Sequence, residues 1–291
     1  VPHFARLASE GSGVRELGTS TPPQSPVAWS SFITGRDPGG HGIFDFIHRD
    51  PATYTVAPAT VTVGHGSTIP LPGQWEFPLP AGGDANRSGK AFWTLLGEHG
   101  VPADVWRMPI NFPVEAGAGW SFSGMMTPAI DSAYGEFSFY STNPPVGLFG
   151  NEKVIQVQEY SGVIRTTLLG PEISFKQADE KTLRKPRASA PMTIYVDHEN
   201  DAAAVELADH VMVLSPGEWS AFTEVSFGLL PVGVMNRPLG TRMSGIVRFY
   251  LRSIEPELEL YVSPINVDPE DPYNPVSAPE DASAEVADVV V

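Results

Sequence analysis

The chain has 291 residues, 42% of them apolar, enough to bury a sizeable core in one or two domains and too apolar for a disordered or fibrous polypeptide. Its 34 acidic against 18 basic residues leave a formal charge of −16, which argues against a surface that follows a nucleic-acid backbone or an anionic membrane. The absence of cysteine excludes disulfides, thiolate metal sites and cysteine nucleophiles and leaves the compartment open, and no run of 18 apolar residues occurs.

The chain opens on "VPHFARLASEG", without an initiator Met, and the pattern predicts a short helix at residues 3–9. A second helix is predicted at residues 26–33, inside "TPPQSPVAWSSFITG". Ser25 reads as its N-cap, Pro26 as its first helical position and Gly35 as its stop. The same geometry suits a nucleophile: free N–H groups of Val27 and Ala28 and the helix dipole would favour a phosphoryl group at the serine oxygen. A helix end cannot ionise a hydroxyl, which needs an adjacent base or a metal. The two readings of Ser25, cap and nucleophile, are compatible.

A third helix is predicted at residues 89–99 with Gly100 as its stop, followed by a short strand at 103–106. A helix and strand at that spacing form half of a parallel β-α-β unit, so residues 1–149 read as α/β. From about residue 150 the pattern changes to β-rich runs such as "KVIQVQEYSGVIRTTLLG" and "SGIVRFYLRSIEPELELYVSP", separated by Gly, Pro, Asn and Asp turns. Residues 150–265 are therefore expected to form one antiparallel unit with its own apolar core. Residues 253–291 carry ten carboxylates and no Lys or Arg, and prolines recur from about 265, so residues 266–291 read as a solvated acidic linker. Both ends read as cut, and no internal repeat is visible.

The run "PPQSPVAWSSFITGRDPGGHGIFDFIHRD" resembles the nucleophile segment of the type I phosphodiesterase and nucleotide pyrophosphatase family, in the alkaline phosphatase superfamily. The matching positions are Ser25 after a proline-containing turn, Thr34-Gly35, and His41-Gly42-Ile43. "KAFWTLLGEHGVPADVWRMPINFP" resembles the next unit of that fold, and "GEWSAFTEVSF" with "RFYLRSIEPELELYVSPIN" resembles a β-rich insertion, so that the likeness runs over nearly the whole chain. The resemblance implies a partial alkaline-phosphatase-like α/β core carrying a β-rich antiparallel insertion, with the acidic linker returning to a missing part of the core. It also implies a phosphohydrolase that works through a phosphoseryl intermediate at Ser25. Two divalent ions, commonly zinc with manganese as the alternative, would bind the Ser25 oxygen, and their other ligands are Asp and His residues expected outside this chain. Ala28 stands where the phosphodiesterase branch often has an Asn donor to phosphate, which leaves monoester against diester open.

Other candidate residues have plainer accounts. Asp197-His198 in "YVDHEND" follows an apolar strand as a metal segment would, but no Gly follows and a second strand begins at once, so a hairpin turn is expected. His41 among glycines reads as structural, its ring bonded to local backbone. Arg49 could meet a phosphate but reads as one half of an exposed ion pair. Trp75, Trp93, Trp106, Trp120 and Trp219 read as core and interface packing. A sulfatase is excluded because Pro26 follows Ser25 directly and Trp29 stands where an Arg is needed. The expected function is metal-dependent hydrolysis of a phosphorylated small molecule or nucleotide-like substrate. The alternative is a binding module whose β-rich half recognises a polymer or protein partner.

Overall fold

A computed structural model of the chain describes residues 2–11, 13–63, 68–71, 75–78, 83–127, 130, 136–144, 152–172, 175–177, 183–184, 187–228 and 242–287. It consists of mixed sheets with few helices, 16% helical against 39% strand, so strands set the architecture even where an α/β pattern was expected. The helices are α1 (Pro2–Glu10), α2 (Ser25–Thr34), α3 (Pro38–His41), α4 (Phe92–Glu98) and α5 (Ala282–Glu285). None is long and apolar enough to cross a membrane.

In the N-terminal half, α2 and α4 pack through a small cluster of Ile33, Ala91, Trp93 and Val105, with Trp93 fully buried. Gly100, at φ 75°, ends the turn after α4 in a conformation that costs glycine nothing. The strand that follows, Val105–Met108, pairs in parallel with Ser121–Ser123, and Ser277–Ala278 from the far end of the chain adds antiparallel to the same sheet. The expected helix followed by a strand is present as α4 and Val105–Met108, and the parallel pairing that this strand makes is joined across residues 109–120, which contain no helix.

The β-rich half holds the larger core. Val163–Glu172, Arg187–Asp197, Ala202–Leu207 and His210–Leu214 form an antiparallel meander, and Thr223–Gly228, Arg242–Val247 and Asn266–Val267 a second antiparallel sheet. Burial alternates strictly along Arg187–Asp197, as a pleated strand with one covered face requires. Ile164, Ile194, Val205, Phe227, Phe249 and Leu260 are all fully buried in one continuous cluster. Each such side chain contributes about 1.5–3 kcal/mol by leaving water.

Two features of the strand pairing bear on the expected domain bounds. The boundary at 149/150 itself lies outside the described residues, but strand pairing crosses it. Phe137–Ser141 lies between Glu152–Gln156, which it pairs in parallel, and Glu259–Val262, and Phe249–Ser253 completes that sheet. Phe175–Gln177 likewise pairs with Trp75–Pro78. A change of local pattern marks where strands become frequent, whereas pairing partners are chosen by tertiary contact.

The tail at 266–291 is not simply a solvated linker. Asp268 is buried and accepts a 2.7 Å hydrogen bond from Ser244 Oγ, while Ala282, Ser283 and Ala287 are buried as well. Its charge count describes the side chains, but its backbone satisfies the open edge of Ser121–Ser123.

Candidate active site

Ser25 begins α2 without capping it. Gln24 is the extended residue at the boundary (φ −107°, ψ 142°) and its carbonyl accepts from Ala28 N–H at 2.9 Å, which makes Ser25 the first helical residue and places Pro26 in the first turn. The expected N-cap role is therefore corrected by one position. Among the described residues no side chain caps this helix and the N–H groups of Ser25 and Val27 engage no backbone acceptor, while Pro26 has no N–H to offer. Ser25 is exposed, and its hydroxyl makes no hydrogen bond among the described residues. The helix behind it is firmly seated: Pro26, Val27, Ser30 and Ile33 are buried, and Gly35 closes the last turn at φ 64° with its N–H on the Ser31 carbonyl. The result is an exposed hydroxyl at the positive end of a fixed helix.

Close by, a serine and a histidine meet in a way that imitates a nucleophile and its base. Ser31 Oγ lies 3.0 Å from His41 Nε2, and His41 is fully buried. The other ring nitrogen, Nδ1, accepts from the N–H of Ile43 at 3.1 Å, so the ring proton sits on Nε2 and is donated to Ser31. A nitrogen that donates to the hydroxyl cannot take its proton. Burial lowers the His41 pKa, the Arg87 charge lowers it further, and Asp37 only partly offsets them. His41 thus holds α3 and the following turn to α2, the structural role its glycine-rich setting suggests.

Arg49 does not form the expected ion pair. Its guanidinium carbon stands 4.3 Å from the centroid of the Tyr54 ring, and among the described residues it has no carboxylate partner. Asp50 instead closes its own turn, accepting from Ala52 N–H at 2.7 Å and Thr53 Oγ1 at 2.8 Å, and these bonds hold its carboxyl below the usual range. Asp197 does the same in the hairpin between Arg187–Asp197 and Ala202–Leu207, accepting from the N–H groups of Glu199 and Asn200. His198 is held between Glu159 at 2.8 Å and Glu255 at 2.7 Å, one carboxylate on each ring nitrogen, so it is not a metal ligand in waiting. Of the tryptophans expected in the core, Trp93 is buried, Trp106 and Trp219 are 54% and 45% exposed, and the side chain of Trp75 lies outside the described residues.

A polar hub that sequence reasoning missed fixes the neighbourhood of α4. Glu115 accepts from Ala91 N–H at 2.6 Å and Thr94 Oγ1 at 3.1 Å, and pairs with the buried Arg87 at 2.8 Å. Its carbonyl accepts from the Trp93 indole, and its N–H donates to Asn111 Oδ1. One carboxylate thereby serves as the missing cap of α4 and as the counter-ion of a desolvated arginine. The available signal was isolation: Glu115 is the only charged residue between Arg107 and Asp131.

Among the described residues no group of three or more His, Cys, Asp or Glu side chains stands together as a metal would need. The residues around Ser25 therefore do not by themselves fit a pair of divalent ions. A shallow cleft lined by Asp104, Gly117, Trp120 and Pro279 shares no residue with the Ser25 turn. No curated protein and no solved structure matches the chain. One family model does, over residues 1–137, a span that holds Ser25, α1 to α4 and the Glu115 hub and ends where Phe137–Ser141 begins. The likeness expected of the β-rich half is not part of that match. The N-terminal region of the chain, residues 1–137 of 291, matches the family model of the Type I phosphodiesterase / nucleotide pyrophosphatase family.

Proposed function

We propose that the protein is a phosphoester hydrolase that uses Ser25 as its nucleophile. The observation that carries the reading is the exposed, unbonded hydroxyl of Ser25 at the uncapped start of α2, inside the matched span. In the first step Ser25 Oγ forms a bond to phosphorus, the ester oxygen leaves with its electron pair, and the serine proton is released. In the second, water cleaves the phosphoserine and returns the hydroxyl. The N–H groups of Ser25 and Val27, which engage no backbone acceptor among the described residues, are available to a phosphoryl oxygen bound at Ser25, and the helix dipole favours its charge. A free hydroxyl near neutral pH still needs help to lose its proton, which divalent cations such as zinc or manganese supply in the chemistry this family implies. The reading places their remaining ligands outside the described residues.

Its substrate is a small phosphorylated molecule, diester or nucleotide-like, because the chain's acidity disfavours a polyanion. The architecture we infer is a phosphatase-like unit over residues 1–136 and a β-rich unit starting at the strand Phe137–Ser141, whose partners all lie later in the chain. Release of nitrophenolate from bis(4-nitrophenyl) phosphate, with zinc or manganese added and with chelator, tests the proposal. Ser25→Ala is expected to lower turnover by about three or more orders of magnitude. A Ser25→Ala protein that keeps most of its rate would remove Ser25 from the reaction.

A further inference from the structure

In the β-rich half the chain passes from one sheet to another at Arg248, between the strands Arg242–Val247 and Phe249–Ser253. Val247 and Phe249 are both fully buried, and the alternation of a strand turns the half-buried Arg248 between them toward the opposite face. Its backbone is pinned on both sides, N–H to Ser263 Oγ at 3.1 Å and carbonyl to Ser263 N–H at 3.0 Å. The guanidinium carbon lies 4.2 Å from the centroid of Trp219 and 5.2 Å from that of Phe222. Trp219 in turn touches Tyr250 and Tyr261, with ring centroids 5.0 and 5.5 Å away.

The edge of the guanidinium is open. In a chain with 34 carboxylates, Arg248 donates to no acceptor and meets no carboxylate among the described residues, whereas Arg252 nearby pairs with Glu259 at 3.2 Å. The Trp219 indole N–H and the hydroxyls of Tyr250 and Tyr261 also lack partners among the described residues. Burial raises the Tyr261 phenol and the charge of Arg248 pulls it partly back, which puts the two polar ends in one field. Ring contacts offset part of the cost of desolvating a cation, but they leave its in-plane N–H donors unused. The arginine is not needed to fix the Trp219 segment, because Gly217 N–H and Ser220 N–H already bond the carbonyls of Leu251 and Phe249 at 2.7 and 2.8 Å.

We propose that Arg248, with Trp219, Tyr250 and Tyr261 around it, is a binding site for an anionic sugar, the guanidinium fork taking one carboxylate or phosphate group and the unpaired indole and phenol groups taking ring hydroxyls. One fork suits one oxyanion, and the −16 charge of the chain disfavours a longer polyanion. The site stands apart from the Ser25 reading and does not rest on it.

Calorimetric titration of the Ser25→Ala protein, which cannot consume a phosphoester through that serine, with glucuronate, glucose 6-phosphate and glucose tests the site. Binding of either anionic sugar, with glucose about tenfold weaker or worse, is the expected result, and the better of the two identifies the oxyanion. Arg248→Lys keeps the charge but loses the fork and should weaken that binding about tenfold, and Arg248→Met should abolish it. Circular dichroism establishes that each variant is folded, and the lysine variant decides the matter should the methionine variant not fold. Equal binding of glucose, unchanged binding by Arg248→Lys, or no heat from either anionic sugar up to about 10 mM would each overturn the proposal.

Discussion

Ser25 adds little to the helix it begins, since Gln24 supplies the extended turn and the hydroxyl bonds to nothing described. Replacing it with alanine should therefore change unfolding free energy by no more than about 0.5 kcal/mol in urea titrations, and a loss above about 1 kcal/mol would give the hydroxyl a structural role. Glu115 is the opposite case. Glu115→Ala strands the Arg87 charge, 4% exposed, and uncaps α4, so a loss of about 3 kcal/mol is expected, whereas Glu115→Gln should recover part of it through the bonds to Ala91 and Thr94. His41 makes the fold sensitive to acid. Its folded pKa is lowered from 6.5, so as pH falls below about 6.5 the unfolded chain takes up the proton first and stability is lost, while above that value the neutral ring costs nothing. An NMR titration that placed His41 at or above 6.5 would contradict its buried, singly protonated geometry.

Between elements, His198 works in the other direction. Both ring nitrogens face carboxylates, so the ring is doubly protonated when it ties the hairpin after Arg187–Asp197 to Glu159 and to Glu255. Its pKa is raised from 6.5, by Glu159 first and Glu255 second, so the brace is fully present below about 6.5 and is lost as pH rises through the folded value. Glu159→Gln should move the His198 titration back toward 6.5, and an unshifted curve in the parent protein would show that the brace does not form in solution. Strand packing makes a sharper demand at Gly170, in Val163–Glu172, where a Cβ would stand 2.4 Å from the Phe227 ring. Gly170→Ala should destabilise by about 1–3 kcal/mol through overpacking of a buried aromatic, measured by the same urea titrations.

Across the whole molecule the C-terminal tail returns to a sheet of the N-terminal half, because Ser277–Ala278 pairs with Ser121–Ser123 beside Val105–Met108. A protein ending at residue 265 loses that pairing, the strand Asn266–Val267 and the buried Asp268, and should melt several degrees lower in circular dichroism; an unchanged melting temperature would return the tail to the status of a linker. Local chemistry was legible from the residues alone. Gly35 and Gly100 stop their helices, "YVDHEND" turns as a hairpin, and the segment around Ser25 carries the pattern of the family matched over residues 1–137. Such features depend on contacts a few residues apart, which a short stretch of sequence contains. The helix begins one residue earlier than expected because the Gln24 carbonyl accepts from Ala28 N–H and so closes a first turn that includes Ser25. What only the tertiary structure decided was partnership over long distances: Phe137–Ser141 with the β-rich half, Arg87 with Glu115, the acidic tail with an open strand edge, and Arg248 between two rings with its own edge unpaired. Composition counts groups but does not say which backbone edge or which charge remains unsatisfied once the core has closed, and that remainder selects the partner.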